Sequence, residues 1–172
     1  METTMTTKLP RIDGVTIAPP TSLVVEWSDE GLDTIDLAGW IATGDDLLAP
    51  LRDYAMFATA RPGLYGASVV WGDEEGDLVI DAHHLRLLAA EQKPFGSKDA
   101  AAWQGEIGLS NNEAADFLGI SLSTWNAYKA GALIPTPIVM VCRAARRDPL
   151  LLQAHLRPRR PGRPRRMEES VR

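Results

Sequence analysis

The side chains that carry acid–base or metal chemistry come together at few places in this 172-residue chain. Asp81, His83 and His84 combine a carboxylate with two imidazoles, but adjacent histidines on a helix point in different directions and no third ligand has a suitable spacing. The acidic runs at 45–46 and 73–75 fall in predicted turns, where carboxylates are solvated. The sequence lacks a phosphate-binding glycine loop and a serine–histidine–aspartate pattern. We therefore expect a protein that is not an enzyme and that holds no metal or other cofactor.

Charge is distributed unevenly along the chain. Residues 1–142 hold 8 basic and 20 acidic residues, a net charge of −12. Residues 143–172 hold 10 arginines and 3 acidic residues, a net charge of +7. The whole chain is acidic, at −5, and yet it has a basic end. A basic end on an acidic body indicates a polyanionic partner at that end.

A helix–turn–helix pattern precedes the basic end. Ser110 stands three residues before Glu113, which is the spacing of a capping box at the start of a helix. Gly119 supplies the left-handed backbone that ends this helix, and Ser121 is typical of the residue that caps the next one. The resulting turn of three residues has the length that a helix-turn-helix requires. The two predicted helices span residues 111–118 and 121–130.

The motif Glu-Ala-Ala-x-x-Leu-Gly-Ile-Ser-x-x-Thr-Trp-x-x-Tyr-x-x-Gly, from Glu113 to Gly131, resembles the helix-turn-helix of the lambda-repressor-like (Xre/Cro) family. The resemblance implies that the second helix lies in the major groove of double-stranded DNA. The implied base-facing residues are Leu122, Ser123, Asn126 and Ala127. The implied phosphate contacts come from Ser110, Asn111, Thr124 and Lys129, with Ser121 at the start of the helix.

The composition of the second helix leaves two interpretations open. Leu122, Ser123 and Ala127 can touch a thymine methyl group or make a single hydrogen bond, whereas Asn126 can pair with a base through two. The first interpretation is a DNA-binding transcriptional regulator, a homodimer with its two helices about 34 Å apart in successive major grooves. The second is a helix-turn-helix that has been reused for protein contacts.

The arginine- and proline-rich tail, residues 151–172, is a second candidate DNA-binding segment. Gly162-Arg163-Pro164 resembles the centre of an AT-hook, although Pro161 stands where the hook has arginine. A narrow A·T minor groove concentrates negative potential and attracts arginine. The alternative is a disordered basic tail that binds any polyanion. The candidate arginines are Arg159, Arg160, Arg163, Arg165 and Arg166.

The remaining elements follow from periodicity and turn signals. β-branched and aromatic runs predict strands over 14–18, 23–27 and 32–37 and a hairpin of 67–71 with 78–81. Helical spacing predicts helices within 41–60, split at Pro50, and over 83–92, 98–107 and 137–146. The predicted helical core includes Trp103, Trp125, Ile138, Val141, Cys142 and Ala145. The predicted domains are 1–93, 97–150 and the tail 151–172, so the expected fold class is α+β with an antiparallel sheet first and an all-α domain after it.

The first domain resembles a family of small bacterial α+β modules of unknown function, which occur alone, near toxin–antitoxin genes or fused to a helix-turn-helix. The resemblance rests on Ala49-Pro50-Leu51-Arg52-Asp53, Phe57, Ser68-Val69-Val70-Trp71, Asp77-Leu78 and a short helix with Leu85. We hypothesise that this acidic module mediates dimerisation or binds a protein partner. The alternative function is therefore an antitoxin-like or adaptor protein that uses DNA binding for autoregulation.

The sequence carries no run of about 18 apolar residues, so we expect no membrane span. The threonine-rich N-terminus lacks the apolar core of a signal peptide. The expected location is the cytoplasm of a bacterium, or of a bacterium infected by a phage, with the protein on the nucleoid when it is bound.

Overall fold

The computed structural model describes residues 9–29, 31–73 and 76–158. Within these ranges the fold is α+β, with antiparallel strands first and helices after them, which confirms the predicted fold class. The chain divides into two compact units, Met1–Lys93 and Pro94–Arg172, called here the first unit and the second unit. The candidate tail arginines, from Arg159 to Arg166, lie outside the described residues.

The first unit begins with an antiparallel sheet of three strands in the order β1 (Ile12–Ala18), β2 (Ser22–Trp27) and β3 (Leu32–Asp36). Alternate side chains of β2 enter the core, as the pleat of a strand requires. Leu32 is exposed while Ile35 is fully buried, which explains why the sequence of this strand does not alternate cleanly. The three predicted strands are confirmed.

Short helices and a second antiparallel sheet complete the first unit. The helices are α1 (Ala38–Thr43), α2 (Asp45–Leu48), α3 (Tyr54–Phe57) and α4 (Ala82–Gln92), with 3-10 turns at Ala49–Arg52 and Leu64–Gly66. The second sheet has the order β4 (Arg61–Pro62), β5 (Ser68–Val70) and β6 (Val79–Asp81). The predicted hairpin is β5 with β6, and Pro50 separates α2 from α3 as predicted. The two-residue strand β4 is an element that the sequence did not predict.

Asp81 has a structural role at the start of α4. Its Oδ1 accepts a hydrogen bond of 2.8 Å from the backbone N–H of His84, so the carboxylate caps the helix. The described residues contain no group of three or more His, Cys, Asp or Glu side chains that could hold a metal ion.

The second unit is helical in its described part. Its helices are α5 (Ser97–Ile107), α6 (Asn111–Leu118), α7 (Leu122–Lys129), α8 (Thr136–Arg147) and α9 (Pro149–His155). Trp103, Trp125 and Cys142 are fully buried, as predicted. Burial raises the pKa of the Cys142 thiol from 9.0 to about 12, so this side chain stays neutral and behaves as a core residue. No helix among the described residues is long and apolar enough to cross a membrane.

Two predictions for the end of the second unit were wrong. Val141 is 39% exposed, because α8 buries its Cys142 side and turns Val141 toward solvent. Residues 149–155 form α9 although a tail was predicted from residue 151, and Leu152 and Leu156 pack against the core of the unit. Asp148 caps α9 through a 2.9 Å hydrogen bond from the backbone N–H of Leu150.

Candidate nucleic-acid interface

The start of α6 is held by a capping box between Ser110 and Glu113. The Ser110 hydroxyl accepts from the Glu113 backbone N–H at 3.3 Å, and the Glu113 carboxylate accepts from the Ser110 backbone N–H at 2.9 Å. The same hydroxyl donates its proton to Glu113 Oε2 at 2.7 Å. Ser110, a predicted phosphate contact, therefore has its backbone N–H and its hydroxyl proton committed to the helix start in the free protein.

The turn between α6 and α7 has the predicted geometry. Gly119 has a φ of +68°, and a Cβ added there would meet no atom within 4 Å. Backbone conformation, rather than lack of space, therefore favours glycine at this position. The Ile120 N–H donates to the Ala115 carbonyl at 3.0 Å, which turns the chain back over the end of α6. Ser121 then caps α7, since its Oγ accepts from the Thr124 N–H at 3.1 Å.

Helix α7 buries one face and exposes the other. Trp125 is fully buried, and its ring meets that of Trp103 edge-on with centroids 5.7 Å apart. At about 100° per residue, the four predicted base-facing residues fall within one arc of about 140°, and all four are exposed. These residues are Leu122, Ser123, Asn126 and Ala127. The structure thus brings them together on a single accessible surface, called here the α7 face.

Three hydroxyl groups cluster at the N-terminal end of α7. Ser121 Oγ lies 2.8 Å from both Ser123 Oγ and Thr124 Oγ1. Each hydroxyl group can donate one hydrogen bond and also accept. Two O–H groups are used within the cluster, so the third can donate to a phosphate or base oxygen while Ser121 still caps the helix. Ser121 and Ser123 are exposed, whereas Thr124 is half-buried at the border of the α7 face.

A polar network joins α5, α6 and α7 beside this surface. Gln104 accepts at Oε1 from the Trp125 indole N–H at 2.9 Å and donates from Nε2 to Asn111 Oδ1 at 2.9 Å. Gln104 Nε2 also lies 2.9 Å from the Leu109 carbonyl. Lys129 Nζ donates to the same Asn111 oxygen. The predicted phosphate contacts Asn111 and Lys129 are therefore adjacent, and Gln104 is a central residue that sequence analysis missed.

The α7 face itself carries no charged side chain, since its four residues are uncharged. An interface with DNA draws most of its salt-dependent affinity from lysine and arginine at phosphates. Lys129 is the basic residue of α7, and it lies in the last turn of that helix. In a complex with DNA, the α7 face would supply shape and hydrogen bonds to bases, and positive charge would come from Lys129 and from arginines elsewhere in the chain.

Comparison with known proteins points to a similar solved structure and to no known family. No model of a known protein family matches the chain, and no curated protein matches it. A solved structure with similarity to the chain is that of a "putative DNA binding protein" from Nitrosomonas europaea ATCC 19718. The two sequences are 26% identical, and the alignment covers 80% of this chain and 86% of that one at a TM-score of 0.43. A TM-score this low does not establish a common fold, so the DNA-binding description stays with that protein.

Proposed function

We propose that the chain is a DNA-binding transcriptional regulator of the lambda-repressor-like kind, which places α7 in the major groove of double-stranded DNA. The observation that carries the proposal is the α7 face. An amphipathic helix in a capped helix–turn–helix exposes an arc wide enough to enter a groove, and its opposite side is anchored by Trp125. A helix held in this way can dock without reordering, as groove-reading helices do.

We further propose that the arginine tail adds affinity and a preference for A·T-rich minor grooves. Fluorescence anisotropy with a mixed-sequence duplex, measured over a salt series, tests whether α7 and the tail each contribute to DNA affinity. The full chain is compared with a chain ending at Pro158, which lacks residues 159–172 and keeps α9. The full chain is expected to bind with a steep slope of log Kd against log salt, and the shortened chain with a shallower but non-zero slope. Arg163→Ala alone is expected to lower the slope by about 0.9, the value for one lost phosphate contact.

The outcomes separate the two parts. An unchanged slope after removal of residues 159–172 contradicts the role of the tail and leaves the role of α7 intact. A shortened chain that no longer binds in low salt, while it keeps its thermal unfolding transition, shows that the tail alone carries DNA binding. Absence of binding by both chains near physiological salt contradicts DNA binding by α7.

We propose that the regulator is a homodimer, because a two-fold axis places two recognition helices about 34 Å apart on one side of a duplex. Met140 is 61% exposed and Val141 39% exposed on α8, so this helix offers an apolar surface for self-association. Sedimentation velocity is expected to give twice the 18.8 kDa mass of the chain. Met140→Glu with Val141→Glu is expected to give a folded monomer, and a wild-type chain that sediments as a monomer at micromolar concentration contradicts the proposal.

A second candidate function rests on the first unit. Residues 1–93 hold 16 acidic and 6 basic residues, and the tip of the 3-10 turn at Leu64–Gly66 exposes 73% of Leu64 and 82% of Tyr65. Exposed tyrosine is a residue type enriched at protein interfaces, and the net negative charge of the unit favours a basic protein partner. An antitoxin-like or adaptor protein would use this surface first and DNA second. This function takes precedence if neither the full nor the shortened chain binds duplex DNA.

A further inference from the structure

The orientation of the Gln104 side-chain amide is determined by two groups that can each act in only one way. The indole N–H of Trp125 can only donate, and the carbonyl of Leu109 can only accept. Gln104 must therefore turn Oε1 toward the indole, at 2.9 Å, and Nε2 toward the carbonyl, also at 2.9 Å. Because Trp125 is fully buried, this orientation is tied to the core of the second unit.

The orientation of Gln104 determines that of Asn111 in turn. Nε2 of Gln104 is a donor, so the group of Asn111 that lies 2.9 Å from it must be the oxygen. Lys129 Nζ is also only a donor, and it contacts the same Oδ1. Two donors thus converge on the Asn111 oxygen, and its NH₂ group is the one left for an external acceptor.

The free NH₂ of Asn111 and the ammonium of Lys129 are close enough to share one anionic group. The oxygen and nitrogen of a carboxamide are about 2.3 Å apart by covalent geometry, and Lys129 Nζ lies 2.5 Å from that oxygen. The two donors are therefore separated by no more than about 5 Å, a spacing that two oxygens of one phosphate can bridge. The Lys129 ammonium has three N–H groups and uses one on Asn111, so it retains donors for the phosphate.

We propose that Gln104 is a positioning residue, which holds Asn111 and Lys129 as a two-donor clamp for a single DNA phosphate. The inference rests on the proposed DNA-binding function and adds to it the residue that sets the polarity of the clamp. Gln104 itself does not touch the phosphate. The Trp125 indole N–H fixes the orientation of the Gln104 amide, which in turn fixes the orientation of the Asn111 amide at the surface. An inverted Asn111 amide would present its oxygen to the phosphate and repel it.

Asn111→Asp is the primary test, because a carboxylate still accepts from Gln104 and Lys129 but cannot donate to a phosphate. A negative charge in the first turn of α6 also favours the helix, so the thermal midpoint should stay equal or rise. Affinity for a 20-base-pair mixed-sequence duplex is expected to fall about tenfold, and the salt slope by about 0.9. Asn112→Asp is the matched control, since it makes the same charge change one residue away and outside the network.

Gln104→Glu tests the positioning role. The new carboxylate can still accept from Trp125, but it cannot donate to Asn111, so the Asn111 amide should turn its NH₂ inward. We expect a loss of affinity and of slope comparable to that of Asn111→Asp. The Trp125 indole resonance in an amide correlation spectrum should stay dispersed, which shows that α5 and α7 remain packed.

The outcomes distinguish this inference from the function on which it rests. A wild-type chain that does not bind the duplex overturns both. A wild-type chain that binds, with Asn111→Asp and Asn112→Asp equally strong, overturns the clamp and leaves α7 in place. Loss of affinity for Asn111→Asp together with full affinity for Gln104→Glu overturns the positioning role of Gln104. A fold-preserving loss for both variants, with Asn112→Asp near the wild-type affinity, supports the proposal.

Discussion

Replacing Leu122 and Ala127 by glutamate is expected to weaken binding of the full chain to duplex DNA roughly 100-fold, equivalent to about 2.7 kcal/mol. The two residues lie at opposite borders of the α7 face, and both are exposed. A helix that enters the major groove would bring each new carboxylate between two phosphate backbones, where like charges repel and desolvation is costly. Fluorescence anisotropy at about 0.1 M salt measures the effect, since charges more than about 10 Å apart are largely screened there.

The fold should tolerate this pair of substitutions. Leu122 is the first residue of α7, where a negative charge interacts favourably with the helix dipole, and glutamate is a good helix former at either position. The matched control is Ala101→Glu with Ala102→Glu, which adds the same charge at exposed positions of α5. The control is expected to stay within about threefold of the wild-type affinity, because its carboxylates lie on α5 and outside the α7 face. Equal losses for both pairs would show that net charge, and not the α7 face, governs binding.

Local sequence was sufficient to predict the helix–turn–helix geometry. The capping box of Ser110 with Glu113 and the cap by Ser121 depend on residues three positions apart. The positive φ of Gly119 depends on the backbone of that residue alone. Interactions of this range are visible in a sequence because chain neighbours are also spatial neighbours. The exposed residues of α7 could be predicted from local sequence as well, because helical periodicity places them away from the buried Trp125.

Gln104 was missed for the opposite reason. A glutamine inside a helix has no periodic pattern, and its role depends on Asn111 and Trp125, which lie 7 and 21 positions away. The sequence indicated only that some residue must accept a hydrogen bond from Trp125, because the indole N–H of a buried tryptophan needs an acceptor. Several polar residues could have met that condition, and only the packing of α5 against α7 selects one. Whether Asn111 turns its NH₂ group or its oxygen toward a phosphate was therefore not predictable from the motif.

Residues 151–155 were assigned to the tail, although sequence signals for helix α9 were present. The tail was predicted to begin at residue 151, although Pro149 precedes it and proline is favoured at the first position of a helix. Asp148 stands directly before Pro149 as a cap, and Leu152 and Leu156 supply the apolar side that packs on the core. Val141 was assigned to the core from its spacing with Ile138 and Ala145. The helix can bury either of two adjacent apolar stripes, and packing chose the one with Cys142.

Trp125→Ala is expected to abolish the unfolding transition of the second unit and to leave that of the first unit in place. Trp125 is fully buried against Trp103, and its indole N–H is bonded to Gln104. Truncating a buried tryptophan costs about 3–5 kcal/mol, and the unpaired Gln104 oxygen adds to this. A unit of this size has a stability on the order of 5 kcal/mol, so the loss is comparable to the whole. Differential scanning calorimetry of the full chain measures the two transitions.

Trp71→Ala is the matched substitution in the first unit, because Trp71 is equally buried there and donates to the Phe57 carbonyl at 3.0 Å. It should remove the other transition and leave the second unit folded and able to bind DNA. A finer comparison uses phenylalanine. Trp125→Phe loses a hydrogen bond, whereas the buried Trp103 Nε1 has no hydrogen-bond partner among the described residues, so Trp103→Phe should cost less. If either alanine variant melted in one step with both units lost, the two units would be a single cooperative fold, and the binding of α7 could not be separated from the state of the first unit.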